Sequence, residues 1–258
     1  MLIFIFLCLI FLLAIGGYYI RALTVSGSVG AFIVGTMVTL GFKGEGLVLL
    51  LAFFISSSAW SMLKKKKTRQ VTKKGSRRDI VQVFANGGAA ALAAVCCFIW
   101  PSPLWIGAFI CTLAEANADT WASEIGPLGR NAPFHITRFK RVMSGTSGAI
   151  SGLGTFAALV GSCFIAFLAG FIFRIEMEYA VLFALIGFIG NFIDTFLGAT
   201  VQVSYQCTVC GEETEKLEHC HKTTEYYKGL SFCSNDSVNF LSTVMAALLG
   251  GGVIWIIG

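Results

Sequence analysis

The sequence predicts an all-α, polytopic integral membrane protein with about eight transmembrane helices, and three observations predict it. Of its 258 residues 56% are hydrophobic, against roughly 45–50% in soluble domains. Charged residues make up 13%, about half the usual quarter, too few to cover a soluble core of this size. The apolar residues also fall into runs near the roughly 20 helical residues that cross a hydrocarbon layer of about 30 Å. The 23 Phe and 29 Gly fit the same solvent, since lipid replaces water outside and small residues let helices approach.

Spans are expected near 1–20, 27–42, 45–63, 79–100, 103–123, 146–173, 178–200 and 237–257, within a single transmembrane domain covering 1–258. Met1 to Ile15 has neither a basic leader nor a small-residue cleavage site, and reads as a retained first span. The second span is short and glycine-rich, which suits a re-entrant or buried segment. Eight spans put the loops 21–26, 64–78, 124–145 and 201–236 on one side, with 17 of the 19 Lys and Arg; only Lys43 and Arg174 fall on the other. By the positive-inside rule the charged side is cytoplasmic and both termini lie outside. The run Lys64-Lys65-Lys66-Lys67 reads first as part of that orientation signal, and second as a contact for anionic lipid. So concentrated a net charge of +5 argues for membrane orientation and against a nucleic-acid partner. A homodimer is compatible with the sequence.

Two stretches match in composition, Ser26 to Ala31 (SGSVGA) and Ser144 to Ala149 (SGTSGA). So do Asp79-Ile80-Val81-Gln82 and Asp236-Ser237-Val238-Asn239. Each pair opens a span from the same side, which predicts a four-plus-four parallel repeat with a site between the halves.

Ionisable groups inside spans are costly, about 2.5–3.5 kcal/mol for Asp at the centre on insertion scales. Three sets therefore invite a functional reading. Glu115 and Asp119 are four apart on one helix face, with Glu124 at the exit; two neighbouring carboxylates call for a proton or a divalent cation between them. The blander reading makes Glu124 a solvated helix-end charge. Gly187, Asn191, Asp194 and Gly198 share a stripe that Gln202 continues; the alternative there is an interhelical hydrogen-bond clamp. Asp79, Gln82 and Asn86 share a third face, and a helix cap accounts for Asp79 alone.

Ser144 to Gly154 reads SGTSGAISGLG and follows Lys140 and Arg141. Amides at a glycine-rich helix start, hydroxyls and two cations suit a phosphate, although plain glycine packing of the sixth helix is equally economical. Five cysteines (Cys8, Cys96, Cys97, Cys111, Cys163) sit in apolar runs as small hydrophobes. Cys207, Cys210, Cys220 and one histidine, His219 or His221, have the spacing of a structural zinc site in the 201–236 loop. Free thiols are the alternative, since a reducing cytosol disfavours a disulfide.

Together Arg78-Asp79 through Gln82 to Asn86-Gly87-Gly88, Ala118 to Gly126 (ADTWASEIG), SGTSGAISGLG, Gly190-Asn191 with Asp194 to Gln202, and Asn235-Asp236 with Asn239 resemble the membrane family long called domain of unknown function 92. It is also known as the transmembrane-protein-19 family. The resemblance covers essentially the whole chain, and ADTWASEIG is its most specific piece. That family includes the plant and cyanobacterial phytyl-phosphate kinases, and it is distantly similar to the CTP-dependent phytol and dolichol kinases.

The resemblance implies phosphorylation of an isoprenoid monophosphate by a nucleoside triphosphate, CTP by analogy, with Mg²⁺. Asp119, Glu124 and Asp194 would then hold Mg²⁺ with help from Glu115. Lys140, Arg141 and the loop of Ser144, Gly145, Thr146 and Gly148 would hold phosphates. Asp79, Gln82, Asn86, Asn117, Asn191, Gln202, Asp236 and Asn239 would orient nucleotide, metal-bound water or acceptor. A transporter or flippase for a cation or lipid phosphate, and a cytidylyltransferase, are the rival readings. The first requires polar groups reaching both faces, and the second releases pyrophosphate.

Overall fold

The computed structural model describes residues 2–64 and 77–257. Most of the basic run expected to orient the chain lies outside the described residues. Seven helices are present among them: α1 (Leu2–Tyr19), α2 (Val25–Lys64), α3 (Ile80–Ile99), α4 (Pro103–Ile125), α5 (Gly152–Phe173), α6 (Met177–Thr200) and α7 (Asn235–Ile257). Five of them, α2, α3, α5, α6 and α7, are long and apolar enough to cross a membrane, and α1 is a shorter apolar helix.

Seven helices stand among the described residues where eight were expected, since the stretches near 27–42 and 45–63 run on as two arms of α2 joined at Lys43. Within α2 only Lys43 leaves helical geometry, at φ 50° and ψ −137°. The chain folds back there. A Cβ on Gly46 would lie 2.9 Å from Val38 Cγ1, whereas eight residues of straight helix span about 12 Å. Arg78 likewise links both arms: its carbonyl accepts from Thr24 N at 3.0 Å, and its guanidinium lies 5.7 Å from the Phe53 and Phe54 ring centres.

The four-plus-four repeat is not reproduced. Ser26 to Ala31 is helical inside α2, but Ser144 to Ala149 is turn and strand. Gly145 and Gly148 take φ of 93° and 80°, a region that glycine enters without steric cost and a helix does not use. The helix expected from 146 therefore starts at Gly152, where Ser151 Oγ accepts from Gly154 N at 3.1 Å and caps it.

The central helix is α4, packed against α2, α3, α5, α6 and α7 and buried from Gly107 to Ala118. Small residues permit this. At the α4–α7 crossing a Cβ on Gly107 would stand 2.6 Å from Gly250 O, so the two backbones touch. Apolar packing continues through Phe42, Phe109 and Phe173, whose rings meet edge-on or tilted.

The loops at one end of the bundle hold short strands that hydrophobic periodicity did not predict. Strands β1 (Phe134–His135), β2 (Lys140–Arg141) and β3 (Ala149–Ile150) form an antiparallel sheet ordered β2-β1-β3 between α4 and α5. Between α6 and α7, β4 (Ser204–Gln206) pairs with β5 (Glu213–Thr214) and with β8 (Glu225–Lys228); β6 (Glu218–His219) and β7 (Lys222–Thr223) form a hairpin. The last turns of α4 and α6 and the first turns of α3 and α7 point to this end. The Lys43 bend and the turns at residues 100–102 and 174–176 lie at the other.

Candidate functional site

Near the loop-bearing end, acidic and amide side chains from four helices meet. Asp119, one helical turn beyond the buried Glu115 on α4, accepts from Asn191 Nδ2 of α6 at 3.2 Å. Asp194, three residues further along α6, accepts from Ser242 Oγ of α7 at 3.2 Å. Asn239 of α7 has two amide orientations of use. In one it lies 3.5 Å from Asn86 Oδ1 of α3, and in the other it donates to Asp194 Oδ2 at 3.2 Å. Glu115, Asp119 and Asp194 interact electrostatically. Glu115 is 1% exposed, and neither carboxylate oxygen has a hydrogen-bond partner among the described residues. A buried carboxylate costs several kcal/mol unless protonated or compensated, so the cluster calls for a proton or a cation.

Glu124 sits one step outward, taking a hydrogen bond from Ser61 Oγ of α2 at 2.8 Å and interacting with both Asp119 and Arg78. Burial draws the Arg78 guanidinium down to about 10, with Glu124 opposing, so it stays charged at neutral pH. Asp79 and Gln82 form a reciprocal capping box: Asp79 Oδ1 accepts from Gln82 N at 3.0 Å, and Gln82 Oε1 from Asp79 N at 3.2 Å. Gln82 therefore spends its carbonyl on the start of α3, while Asn86 reaches the cluster. Asn117 stands apart. Its amide donates to Gly161 O at 2.7 Å and accepts from Ser56 and Ser57 at 3.1 and 3.2 Å, tying α2, α4 and α5; it clamps helices rather than facing a ligand.

Ser144, Gly145, Thr146 and Gly148 were expected at a helix start, and they are not at one. They form a loop docked on the last turns of α6. A Cβ on Gly148 would collide with Ala199. Ser147 Oγ donates to Gln202 Oε1 at 2.7 Å, and Gln202 Nε2 donates to Glu215 Oε1 at 2.7 Å. Gln202 is thus buried at the junction of two loops. Lys140 and Arg141 lie exposed on β2, with Arg141 donating to Ala132 O at 2.7 Å. Asp236 occupies the first turn of α7, one turn before Asn239.

The family model for "Integral membrane protein DUF92" matches residues 8–247. The chain belongs to the DUF92 family of integral membrane proteins. It is 33% identical to Protein PGR of Arabidopsis thaliana, over 92% of this chain and 91% of that protein. It is 29% identical to an uncharacterized membrane protein, MJ0933, of Methanocaldococcus jannaschii, over 89% and 85%. It is 30% identical to the chloroplastic Protein VTE6 of Arabidopsis thaliana, over 71% and 57%. No solved structure matches this chain.

This DUF92 chain also brings its loop cysteines together. One ligand atom each from Cys207, Cys210, His219 and Cys220 lie within 4.8 Å of one another, and His221 is not in the group. The backbone amide of Cys210, opposed by burial and helped by that of Val209, pulls the Cys207 thiol down to about 6. Sequence reasoning passed over Ser242, Ser61 and Glu215, and it gave Arg78 and Ser147 no role of their own beyond the motifs that contain them. Ser242 was within reach, since Asp236, Asn239 and Ser242 recur every third residue on α7. The partners of Ser61 and Glu215 lie 63 and 13 residues away, and nothing local marks them.

Proposed function

We propose that this DUF92 protein is an integral-membrane kinase that converts an isoprenoid monophosphate to its diphosphate with a nucleoside triphosphate, CTP by family resemblance, and Mg²⁺. The observation that carries the reading is the convergence of Asp119 and Asp194 from two helices on one polar cluster, with the orphaned Glu115 below them. The donors are all oxygen, which suits Mg²⁺. Asp119 and Asp194 would hold the metal, with Glu124 and Glu115 assisting, and the metal would neutralise charge on the phosphates.

The chain's own task is then positioning, the larger part of phosphoryl transfer. Asn191 and Ser242 fix the two aspartates, while Asn86 and Asn239 face the same space and orient the acceptor. Arg78, which interacts with Glu124, would supply a cation beside the cluster, and Lys140 and Arg141 would offer further cations from the exposed β2. An acceptor phosphate is already a nucleophile at neutral pH, so no strong general base is required. Next to the cluster, an open groove of about 530 Å³ between the first turns of α3 and α7 is lined by Ile80, Val81, Phe84, Phe240 and Leu241, with Asp236 and Ser237 at its polar edge. It suits an isoprenoid chain whose headgroup reaches Asn239. The loop-bearing end faces the cytosol in this reading, where nucleotide is available.

Transport is less well supported. Beyond Glu115, toward the other end, α4 is buried and almost wholly apolar from Gly107 to Ala114, which offers no polar path. The kinase reading is tested in proteoliposomes with γ-labelled CTP or ATP and a panel of prenyl monophosphates. Label in a Mg²⁺-dependent lipid diphosphate is expected. Pyrophosphate release would identify a cytidylyltransferase instead, and no transfer to any acceptor by folded protein would remove the proposal.

A further inference from the structure

The 201–234 segment carries a metal-ligand cluster that the phosphoryl-transfer reading does not use, and it is wired to the glycine loop. We propose that Cys207, Cys210, His219 and Cys220 bind one zinc ion, and that this zinc latches the loop of residues 134–150 over the end of α6.

Two observations point to zinc at these four residues. His219 Nδ1 lies 3.4 Å from both Cys210 Sγ and Cys220 Sγ. A tetrahedral site with Zn–S near ~2.3 Å and Zn–N near ~2.0 Å has S···N edges of about 3.5 Å. The other ring nitrogen, His219 Nε2, faces the Glu212 carboxylate at 3.9 Å. An outer carboxylate on the far nitrogen is the usual way that a ligating histidine is oriented. Three sulfurs and one nitrogen leave no open position, so the ion is structural.

The latch follows from what lies between the ligand pairs. Cys207 and Cys210 stand before β5, and His219 and Cys220 close β6, so a bound ion staples the base of the intervening loop. Two acids in that loop reach out of it. Glu213 Oε2 takes Arg138 NH1 at 2.6 Å, and its Oε1 faces Lys228 Nζ at 3.5 Å. Glu215 holds Gln202, which holds Ser147. Arg138 and Ser147 flank β2, so both ends of the basic and glycine-rich stretch are gripped by the zinc loop. With the ion gone, residues 211–218 regain chain entropy and both grips loosen.

This goes beyond the kinase proposal and needs no substrate. The full chain, purified in nanodiscs, is assayed for metal by elemental mass spectrometry and for backbone hydrogen exchange. About one zinc per chain is expected, lost in the double variant Cys207→Ser, Cys220→Ser and kept in His221→Ala. Chelator removal of zinc from the unaltered protein is expected to speed exchange of residues 134–150 at least ten-fold, leaving α4 and α6 unchanged. Glu215→Ala should keep its zinc and still loosen 144–148. The proposal is overturned if the protein carries no stoichiometric zinc, including the case of a Cys207–Cys210 disulfide. It is equally overturned if zinc loss or Glu215→Ala leaves the 144–148 amides as protected as before.

Discussion

Asp194 joins the most elements of the cluster, taking Ser242 from α7 while three other carboxylates, Asp119, Glu115 and Glu215, lie within electrostatic reach. Replacing it by Asn preserves shape and removes one of several mutually repelling charges. Asp194→Asn is therefore expected to lower phosphoryl transfer at least 100-fold, about 3 kcal/mol of barrier, while its melting temperature in detergent holds or rises. An inactive but less stable variant would mean that Asp194 serves packing. Asn117 gives the opposite pattern, because its amide is already engaged by Gly161, Ser56 and Ser57. Asn117→Leu is expected to cost about 1–2 kcal/mol of stability and to leave nucleotide binding per folded molecule unchanged, as measured by thermal unfolding and by titration. Type and spacing alone could not separate the two. Both are polar residues in apolar helices, and only their partners differ.

At the scale of elements, helix contacts rest on glycines whose neighbours are known. A Cβ on Gly250 of α7 would collide with Gly107 O and Cys111 of α4, whereas a Cβ on Gly252 would meet nothing within 4 Å. Gly250→Val is expected to destabilise the protein by about 1–3 kcal/mol through overpacking, with Gly252→Val close to neutral; equal effects would deny the α4–α7 contact. Lys43 holds φ 50° and ψ −137° at the bend of α2, a conformation that favours glycine. Lys43→Gly is expected to raise stability by about 1 kcal/mol, read as a higher midpoint of thermal unfolding. Apolar runs placed α3, α4, α6 and α7 within two residues of where they lie, although α4, which carries Glu115, Asp119 and Glu124, is not among the five helices long and apolar enough to cross a membrane. The break between the stretches near 27–42 and 45–63 was legible, and it falls at Lys43. The delayed start of α5 was not, because it depends on backbone angles at Gly145 and Gly148, which apolar periodicity does not encode.

For the whole molecule, the charge asymmetry predicts that the loop face is cytoplasmic, and the structure gathers those loops at one end of the bundle. The β1–β3 loop, the cysteine loop and the first turns of α3 and α7 share one end of the bundle. The proposed use of a cytosolic nucleotide would require that end to face inward. Single cysteines placed at the exposed Met143 and at the exposed Phe171, in a background without the native thiols, should react from opposite sides of intact cells. Met143→Cys should label only after permeabilisation, and the reverse order would put the site outside. Intramembrane cost singled out the acidic residues, since a carboxylate retained in a span demands a reason, and the structure gathers Asp119 and Asp194 into one cluster. Which of them meet was not available from that argument, because α4 and α6 join through contacts 72 residues apart in Asp119 and Asn191.

Direct metal binding probes this convergence most closely. Mn²⁺, an oxygen-preferring stand-in for Mg²⁺ that is visible by electron paramagnetic resonance, is titrated into the purified protein with and without CTP. Nucleotide-enhanced binding is expected in the unaltered chain, weakened at least ten-fold by Asp119→Asn and by Asp194→Asn separately. Mn²⁺ affinity indifferent to both substitutions would contradict a shared metal-phosphate pocket between α4 and α6.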